Sequence, residues 1–347
     1  MTSFCSENYD KVHPVIMNAI IKANQNLAPS YGKDDETIKA KATLRRTTGR
    51  RDAEVFFCFN GTGANNFAIS AVAEKYAAVY CSDISHLYLA ESTATEALSG
   101  CRLYGVKSVL GKIDLGDLEM KIRSLHRLHA PLPGLISVTQ PTECGTVYSK
   151  NELHMIALFC RKHHLMLHID GARLFNALAF MQCSLREFIS ISRPDVLTLG
   201  GTKAGLMFGE AVLFFNPGKF RHLDVLHKRS TQLASKNRFI AVQYNAVLKN
   251  ERWRKMAGYS NRLAKYFEGK LRAVDGNAIA YPVETNTVFV KMEKEVYARL
   301  IKTAGFYWWN EPAELARFTF SFSNTKDEIG RFMASYKKIL HRAGKLI

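Results

Sequence analysis

Short apolar runs rich in valine, isoleucine, leucine and phenylalanine recur along the first two thirds of the chain. Runs of this length and composition are typical of strands buried on both faces, and they occur at "EVFFCF", "AAVYC", "GLISVT", "LMLHI", "DVLTL" and "EAVLFF". Between most of them the apolar positions follow a helical period, as in "NELHMIALFCRKHH". This alternation predicts βαβ units around a mostly parallel sheet, which is an α/β fold.

The pattern changes after about Pro217. A long, charged helical stretch is predicted as far as about Ala273, and a final helix at "KDEIGRFMASYKKILHRAG". Between them we expect four strands, at "NAIAYP", "TNTVFVKM", "GFYWW" and "RFTFSF". We therefore predict a large domain over residues 1–245, which includes an N-terminal arm, and a smaller α+β domain over residues 246–347.

Composition supports a globular protein that is not embedded in a membrane. The chain has 347 residues, of which 47% are hydrophobic, and no stretch approaches the roughly 18 uninterrupted apolar residues of a spanning helix. The opening residues "MTSFCSENYD" do not resemble a signal peptide, so we expect a cytoplasmic protein. The 7 cysteines form no C-x-x-C pair and lie mostly in apolar runs. We predict reduced, mostly buried thiols and no metal site.

The formal net charge of +17 raises the question of a nucleic-acid partner. Lysine and arginine are spread over the whole chain, and the one dense cluster, "LRRTTGRRD", accompanies no recognisable nucleic-acid-binding motif. We interpret this cluster as a solvated helix end followed by a turn at Gly49, and we expect neither a nucleic acid nor a membrane as a partner. A basic excess also suits small anionic ligands.

Two of the predicted strand ends carry candidate ligand-binding groups. In "FFCFNGTGANNFAI" a strand leads through Gly61, Thr62 and Gly63 into a helix, an arrangement in which free amide N–H groups can hold a phosphate. Glycines at such a turn also serve backbone geometry alone. In "LMLHIDGARLFNA", Asp170 follows a buried strand, where it is either a ligand-binding carboxylate or the N-cap of a helix.

A lysine follows a third strand. In "DVLTLGGTKAGLMFGEAVLFF", Lys203 lies in a glycine-bounded segment with apolar residues directly after it, which is unusual for a surface loop. Apolar surroundings lower the pKa of an amine and make it a nucleophile toward an aldehyde. A phosphate-binding turn, a strand-end carboxylate and a buried lysine together are what pyridoxal phosphate requires for its phosphate, its ring nitrogen and its aldehyde. This combination predicts a pyridoxal-phosphate enzyme.

The order of these and other segments resembles that of the low-specificity threonine aldolases, in the β-eliminating lyase group of fold-type I pyridoxal-phosphate enzymes. The resemblance covers nearly the whole chain and is carried by "NGTGANN", "SHLYLAES", "TQPTECGTVYS", "HIDGARLFNAL", "GGTKAGLMFGEA" and "RFTFSFSNT". It implies an aspartate-aminotransferase-like large domain with a mostly parallel seven-stranded sheet. It also implies a homo-oligomer, a dimer or a tetramer, whose active sites are shared between subunits.

The resemblance assigns cofactor contacts to individual positions. Lys203 would bond covalently to the cofactor aldehyde, Asp170 would pair with the ring nitrogen, and Gly61, Thr62 and Gly63 would bind the phosphate with Thr202. Arg229 would contact the phosphate of a neighbouring subunit.

The remaining assignments concern the substrate. His86 would stack on the cofactor ring with Glu91 close behind it, and Glu91 would also lie near the substrate. Arg173, beside the cofactor, and Arg317 would hold the substrate carboxylate with help from Ser6. From the residues alone, the spacing favours His86 as a polar residue that ends a strand, and only the resemblance reverses this interpretation. Either arginine could belong to a structural ion pair.

The activity implied is cleavage of the Cα–Cβ bond of L-threonine, L-allo-threonine or a related β-hydroxy-α-amino acid to glycine and an aldehyde. His86 and His129 are candidates for the base that removes the β-hydroxyl proton, and His126 competes with His129 for the second place. Three departures from the family pattern leave substrate preference open, and they are Ser6-Glu7-Asn8, Ala204 and "TQPTECG". Another pyridoxal-phosphate reaction, β-elimination or transamination, and a cofactor-free basic binding protein remain alternatives.

Overall fold

The apolar runs fold as strands and the segments between them fold mainly as helices. The computed structural model describes residues 2–124 and 128–342, in which there are twelve strands: β1 (Glu54–Cys58), β2 (Ala77–Ser82), β3 (Arg102–Val106), β4 (Ser108–Val109), β5 (Lys112–Ile113), β6 (Leu132–Thr139), β7 (Met166–Gly171), β8 (Val196–Gly200), β9 (Glu210–Phe214), β10 (Thr287–Lys291), β11 (Tyr307–Asn310) and β12 (Leu315–Thr319). The same residues form fourteen α-helices: α1 (Pro14–Ala23), α2 (Asp35–Thr48), α3 (Gly61–Val72), α4 (His86–Leu89), α5 (Ala94–Ser99), α6 (Leu115–Ser124), α7 (Lys150–Lys162), α8 (Leu174–Met181), α9 (Leu185–Ser192), α10 (Leu223–Arg229), α11 (Arg238–Leu248), α12 (Arg252–Arg272), α13 (Lys294–Leu300) and α14 (Lys326–Arg342).

Seven strands form one large sheet in the order β1-β9-β8-β7-β6-β2-β3. Only β9 runs antiparallel to its neighbours, so the other six strands end at the same edge of the sheet. This confirms the predicted α/β fold with a mostly parallel seven-stranded sheet. The edge strand β3 was not predicted, because its sequence "RLYGV" starts with an exposed arginine and contains a glycine, and so lacks a continuous apolar run.

Helix α7 shows how the connecting segments cover this sheet. Its buried residues Leu153, Ile156, Ala157 and Cys160 recur at the spacing of one helical face. Ser149 caps its first turn, and the Glu152 side chain bonds back to the Ser149 backbone, which completes a capping box.

The C-terminal part departs from the sequence prediction in two places. The long charged stretch is not one helix, since α11 and α12 are separated by Asn250 and Glu251, whose φ angles of 53° and 50° are left-handed. "NAIAYP" makes a single bridge between Ile279 and Val290 and no strand, and Pro282 has no N–H for a ladder. The predicted strands β10, β12 and β11 form a second sheet in that order, and the final helix is present as α14.

Two large hydrophobic clusters lie one against each of the two sheets. Trp253 and Ala257, at the start of α12, pack into the cluster under the large sheet, whereas Leu263 and Phe267 further along pack against the small sheet. The second cluster also contains Phe4 from the N-terminal arm. All seven cysteines are buried and free, which confirms the prediction of buried thiols. No helix among the described residues is long and apolar enough to cross a membrane.

Candidate active site

Most of the predicted site residues follow strands that end at one edge of the large sheet. Gly61 comes after β1, Asp170 lies near the end of β7, Lys203 comes after β8, and His86 comes after β2. Because six strands of this sheet share a direction, their carboxyl ends place these side chains on a common edge. Ligands of open α/β sheets bind at this edge.

Asp170 is buried and held by two donors. Its Oδ1 accepts a hydrogen bond from the Ala172 N–H at 2.9 Å, and its Oδ2 accepts one from Asn65 Nδ2 at 3.0 Å. The same Asn65 nitrogen donates to Glu91 Oε1 at 3.0 Å. Asn65 was not singled out from the sequence, although a polar residue on the inner face of the apolar helix α3 is a signal that was available.

His86 is anchored by two carboxyl groups. Its Nδ1 lies 3.0 Å from Glu91 Oε1, and its backbone N–H donates to Glu143 Oε1 at 2.8 Å. The imidazole is about half exposed, with 48% of its side-chain surface accessible, whereas Glu91 is buried. The structure therefore brings His86 and Glu91 together as the resemblance implied.

Glu143 was missed, because the segment "TQPTECG" was noted only as a departure from the family pattern. It accepts a further hydrogen bond from Thr139 Oγ1 at 2.9 Å. Burial, and to a lesser extent the nearby Asp170, raise the pKa of Glu143. Its Oε2 is buried and has no hydrogen-bond partner among the described residues.

Lys203 lies in a short 3-10 turn, Thr202–Ala204, directly beyond β8. The turn is tight, because a Cβ added at Gly201 would collide with the Gly209 carbonyl oxygen, and Gly205 has a left-handed φ of 88°. Arg173 and burial lower the pKa of the Lys203 amine, while Glu7, Asp170 and Glu210 act in the opposite direction. The net shift favours the neutral, nucleophilic amine.

The two predicted carboxylate-binding arginines differ in their partners. Arg173 donates from Nε and Nη2 to the two oxygens of Glu7, at 2.7 and 3.0 Å. The Arg317 guanidinium lies 4.4 Å from the ring centroid of Trp309 and 5.0 Å from that of Tyr307. Burial and Arg173 lower the pKa of Arg317 to about 10, and its buried Nε has no hydrogen-bond partner within the described ranges. A buried cation in this state favours an anionic ligand.

The turn predicted to bind phosphate is formed by the first residues of α3. The Asn60 side chain caps the helix by accepting the Gly63 N–H at 2.8 Å. A Cβ added at Gly61 would meet open space, whereas one added at Gly63 would fall on the Gln232 side chain. Gln232 Oε1 also accepts the Phe59 N–H at 3.0 Å, so the segment after α10 closes on this turn.

Four other predicted positions have distinct surroundings. Ser6 Oγ accepts the Asn8 N–H at 3.2 Å and so caps the first turn of the arm. Thr202 Oγ1 accepts the Gly209 N–H at 3.2 Å, and Arg229 is exposed at the end of α10. His129 precedes β6, whereas Thr139 at the other end of that eight-residue strand pairs with Asp170.

That placement separates His129 from the site of its own chain. Eight residues of strand, at about 3.3 Å each, put it roughly 25 Å from the edge where Asp170 lies. Within one chain the structure therefore does not bring His129 beside His86, because β6 runs the whole depth of the sheet between them. The competing candidate, His126, lies outside the described residues.

Comparisons with known proteins agree with this geometry. The family described as beta-eliminating lyase matches residues 3–295 of the chain. The chain belongs to this family. A low-specificity L-threonine aldolase of Pseudomonas aeruginosa is 37% identical over 84% of this chain and 84% of its own length. A second one, from a Pseudomonas species, is 33% identical over 97% of both chains.

The fold agrees as well. A structure of the Leishmania major threonine aldolase superposes with a TM-score of 0.92 at 28% identity, covering 98% of this chain and 100% of that one. The resemblance to threonine aldolases predicted from the sequence is thereby confirmed, and this beta-eliminating lyase is a pyridoxal-phosphate-dependent enzyme.

The site of this lyase fits that cofactor on its own contacts. A buried carboxylate held by two donors, a lysine amine with a lowered pKa and a glycine-containing helix N-terminus lie at one edge of the sheet. Arg317 and Glu91 add buried polar atoms that have no hydrogen-bond partner in the described part of the chain. These are the groups that an anionic, aromatic aldehyde with an amino-acid substrate would engage.

Proposed function

We propose that this lyase cleaves the Cα–Cβ bond of L-threonine, L-allo-threonine or a related β-hydroxy-α-amino acid and releases glycine and an aldehyde. The observation that carries the proposal is the convergence around one site of the Lys203 amine, the Asp170 carboxylate and the Arg317 guanidinium, whose Nε has no hydrogen-bond partner among the described residues. The names of the two Pseudomonas relatives support the same substrate class.

We assign the cofactor contacts as follows. Lys203 would hold the aldehyde, Asp170 the ring nitrogen, and Gly61, Thr62 and Gly63 the phosphate together with Thr202. When bound, pyridoxal phosphate supplies an electron sink that weakens the bonds at the substrate Cα. Asn65 keeps the Asp170 carboxylate oriented through its 3.0 Å hydrogen bond, and this favours a stable charge partner for the ring nitrogen.

The remaining residues would position the substrate and move one proton. Arg173 and Arg317, with Ser6, would hold the α-carboxylate and so fix the direction of the Cα–Cβ bond. His86 would accept the β-hydroxyl proton at Nε2, because Nδ1 is engaged by Glu91 at 3.0 Å. The buried Glu91 carboxylate would stabilise the imidazolium that forms.

Three further assignments belong to this proposal. The lyase would be a cytoplasmic homo-oligomer, a dimer or a tetramer, in which Arg229 contacts the cofactor phosphate of a neighbouring subunit. His129 would act as a base in the site of a neighbouring subunit, because the length of β6 separates it from the site of its own chain. The domains would divide at residues 245 and 246, which lie within α11 and just ahead of the helix that joins the two hydrophobic clusters.

Product analysis tests the proposed reaction. Purified holoenzyme incubated with L-threonine should release acetaldehyde and glycine in equal amounts, and the Lys203→Ala variant should lose at least about a thousandfold in rate, on the scale of lost nucleophilic activation. Lys337→Ala, at an exposed position on α14, is the matched control and should keep the wild-type rate. Formation of a keto acid from L-threonine without glycine would contradict the proposal and favour transamination or β-elimination.

A further inference from the structure

The N-terminal arm connects the small sheet with the substrate site. The Phe4 N–H donates to the Gly305 carbonyl at 2.7 Å, and the Thr319 N–H donates to the Phe4 carbonyl at 2.7 Å. The Phe4 side chain is buried in the cluster under the small sheet. Three residues further on, Glu7 reaches Arg173, which follows β7 of the large sheet. The arm, which is attached to the small sheet, therefore brings the Glu7 carboxylate to Arg173 beyond a strand of the large sheet.

We propose that Glu7 is a positioning residue that fixes the Arg173 guanidinium for the substrate carboxylate, an inference that rests on the proposed function. Glu7 binds one edge of the guanidinium, since its two oxygens accept from Nε at 2.7 Å and from Nη2 at 3.0 Å. A bidentate bond of this kind sets the plane of a guanidinium as well as its position. It leaves Nη1 for a ligand.

Glu7 is itself held in place. It is 6% exposed, and Asn286 Nδ2 donates to its Oε1 at 2.8 Å and to the Phe320 carbonyl at 2.7 Å. Burial alone would raise the pKa of Glu7, but Arg173, with smaller contributions from Lys203 and Asn286, lowers it to about 2. The carboxylate is therefore ionised at neutral pH. The Glu7 carboxylate that bonds Arg173 is thus fixed in both position and charge.

The charge balance of the site supports the same role. Arg317 is close enough to Arg173 for the two positive charges to repel each other. Glu7, on the N-terminal arm, is the carboxylate that forms an ion pair with Arg173. Arg173 is paired with Glu7, whereas the Arg317 Nε has no hydrogen-bond partner among the described residues. A substrate α-carboxylate would pair with the Arg317 guanidinium, and the Glu7 carboxylate offsets part of the repulsion between Arg173 and Arg317 before the substrate arrives.

Ligand titration of holoenzymes tests this role without requiring cleavage. Glycine carries a carboxylate and methylamine does not, and each is titrated against the visible absorbance of the bound cofactor. Glu7→Gln should weaken glycine binding about tenfold, the scale of one impaired charge-assisted hydrogen bond, and leave methylamine binding unchanged. Glu7→Asp, which keeps the charge, should stay within about threefold of wild type on the same scale.

The matched control is Asp10→Asn. It removes a carboxylate from the same arm, but Asp10 accepts from Ser323 Oγ and does not bond Arg173, so glycine affinity should not change. A double-variant cycle gives the sharpest result: in an Arg173→Gln background, Glu7→Gln should have no further effect on glycine. Because Arg173→Gln leaves Glu7 buried and unpaired, its folding is checked by thermal unfolding, and Arg173→Lys replaces it if it does not fold.

The inference is overturned if Glu7→Gln weakens methylamine as much as glycine, or if its effect persists at full size without Arg173. Either result would mean that Glu7 supports the arm in general and not the guanidinium. The proposed reaction fails on a different observation, namely wild-type enzyme that binds glycine selectively but releases no acetaldehyde from L-threonine.

Discussion

Arg317 lies on β12 with its guanidinium beside two aromatic rings and its Nε without a hydrogen-bond partner among the described residues. The other arginine of the site, Arg173, already has a bidentate carboxylate partner. Since a buried guanidinium is costly unless it is paired, Arg317 has the stronger need for a bound anion. At the residue scale, we therefore expect the selectivity of the site for an α-carboxylate to depend more on Arg317 than on Arg173.

This difference predicts an uneven effect of substitution. Arg317→Gln should raise the KM for L-threonine about a hundredfold, as expected for about 3 kcal/mol of lost charge-assisted bonding. Its thermal unfolding temperature should not fall, because an unpaired buried charge is removed. Arg331→Gln, at an exposed position on α14, is the control. An unchanged KM with a lower unfolding temperature would show that Arg317 has only a structural role.

At the scale of elements, the N-terminus of α3 is shaped by a segment distant in sequence. Gln232, which follows α10, bonds the Phe59 N–H at 3.0 Å and lies where a Gly63 side chain would be. A Cβ added at Gly61, by contrast, would point into open space. Gly63 is therefore required for the approach of Gln232, while Gly61 is not constrained by protein atoms.

The two glycines thus form a matched pair for mutation. Gly63→Ala should displace Gln232 and weaken pyridoxal-phosphate binding by about tenfold, the scale of one lost or misplaced hydrogen bond in the turn. Gly61→Ala should have a smaller effect. Cofactor titration of the apoenzymes, followed by fluorescence, measures both. Equal losses for the two variants would contradict the account of Gln232.

Prediction from the sequence succeeded where one local pattern determines the structure. Six strands of the large sheet were predicted because each is a continuous apolar run buried on both faces, and Lys203 and Asp170 were singled out because each comes soon after such a run. "NAIAYP" was wrongly predicted as a strand, because apolar composition alone does not show that a partner strand is available.

The missed residues have another cause in common. Asn65, Glu143 and Glu7 each make a contact with a residue that is 26 or more positions away along the chain, such as Asn65 with Glu91 and Glu7 with Arg173. No local period or motif encodes such pairs. The polar position of Asn65 on an apolar helix face was a usable signal, whereas Glu7 stood in the sequence only as a departure from the family pattern.

At the scale of the whole molecule, the site lies where the two hydrophobic clusters meet. Asp170 lies near the end of a strand of the large sheet, Lys203 and Arg173 follow strands of that sheet, and Arg317 belongs to the small sheet. Helix α12 contributes residues to both clusters. The N-terminal arm contributes Phe4 to the cluster under the small sheet, and its Glu7 bonds Arg173 on the side of the large sheet. The groups to which we assign cofactor binding and carboxylate binding thus come from different parts of the fold, and the central claim of these assignments is that Lys203 holds the cofactor.

Borohydride reduction of the purified holoenzyme, followed by peptide mass mapping, tests that claim most directly. Reduction makes the bond between the lysine and the cofactor permanent, so the labelled residue can be identified. We predict that the cofactor mass is found on the peptide containing Lys203 and is absent from the Lys203→Ala variant. Label on a different lysine, or a wild-type protein that carries no label after incubation with pyridoxal phosphate, would contradict the account.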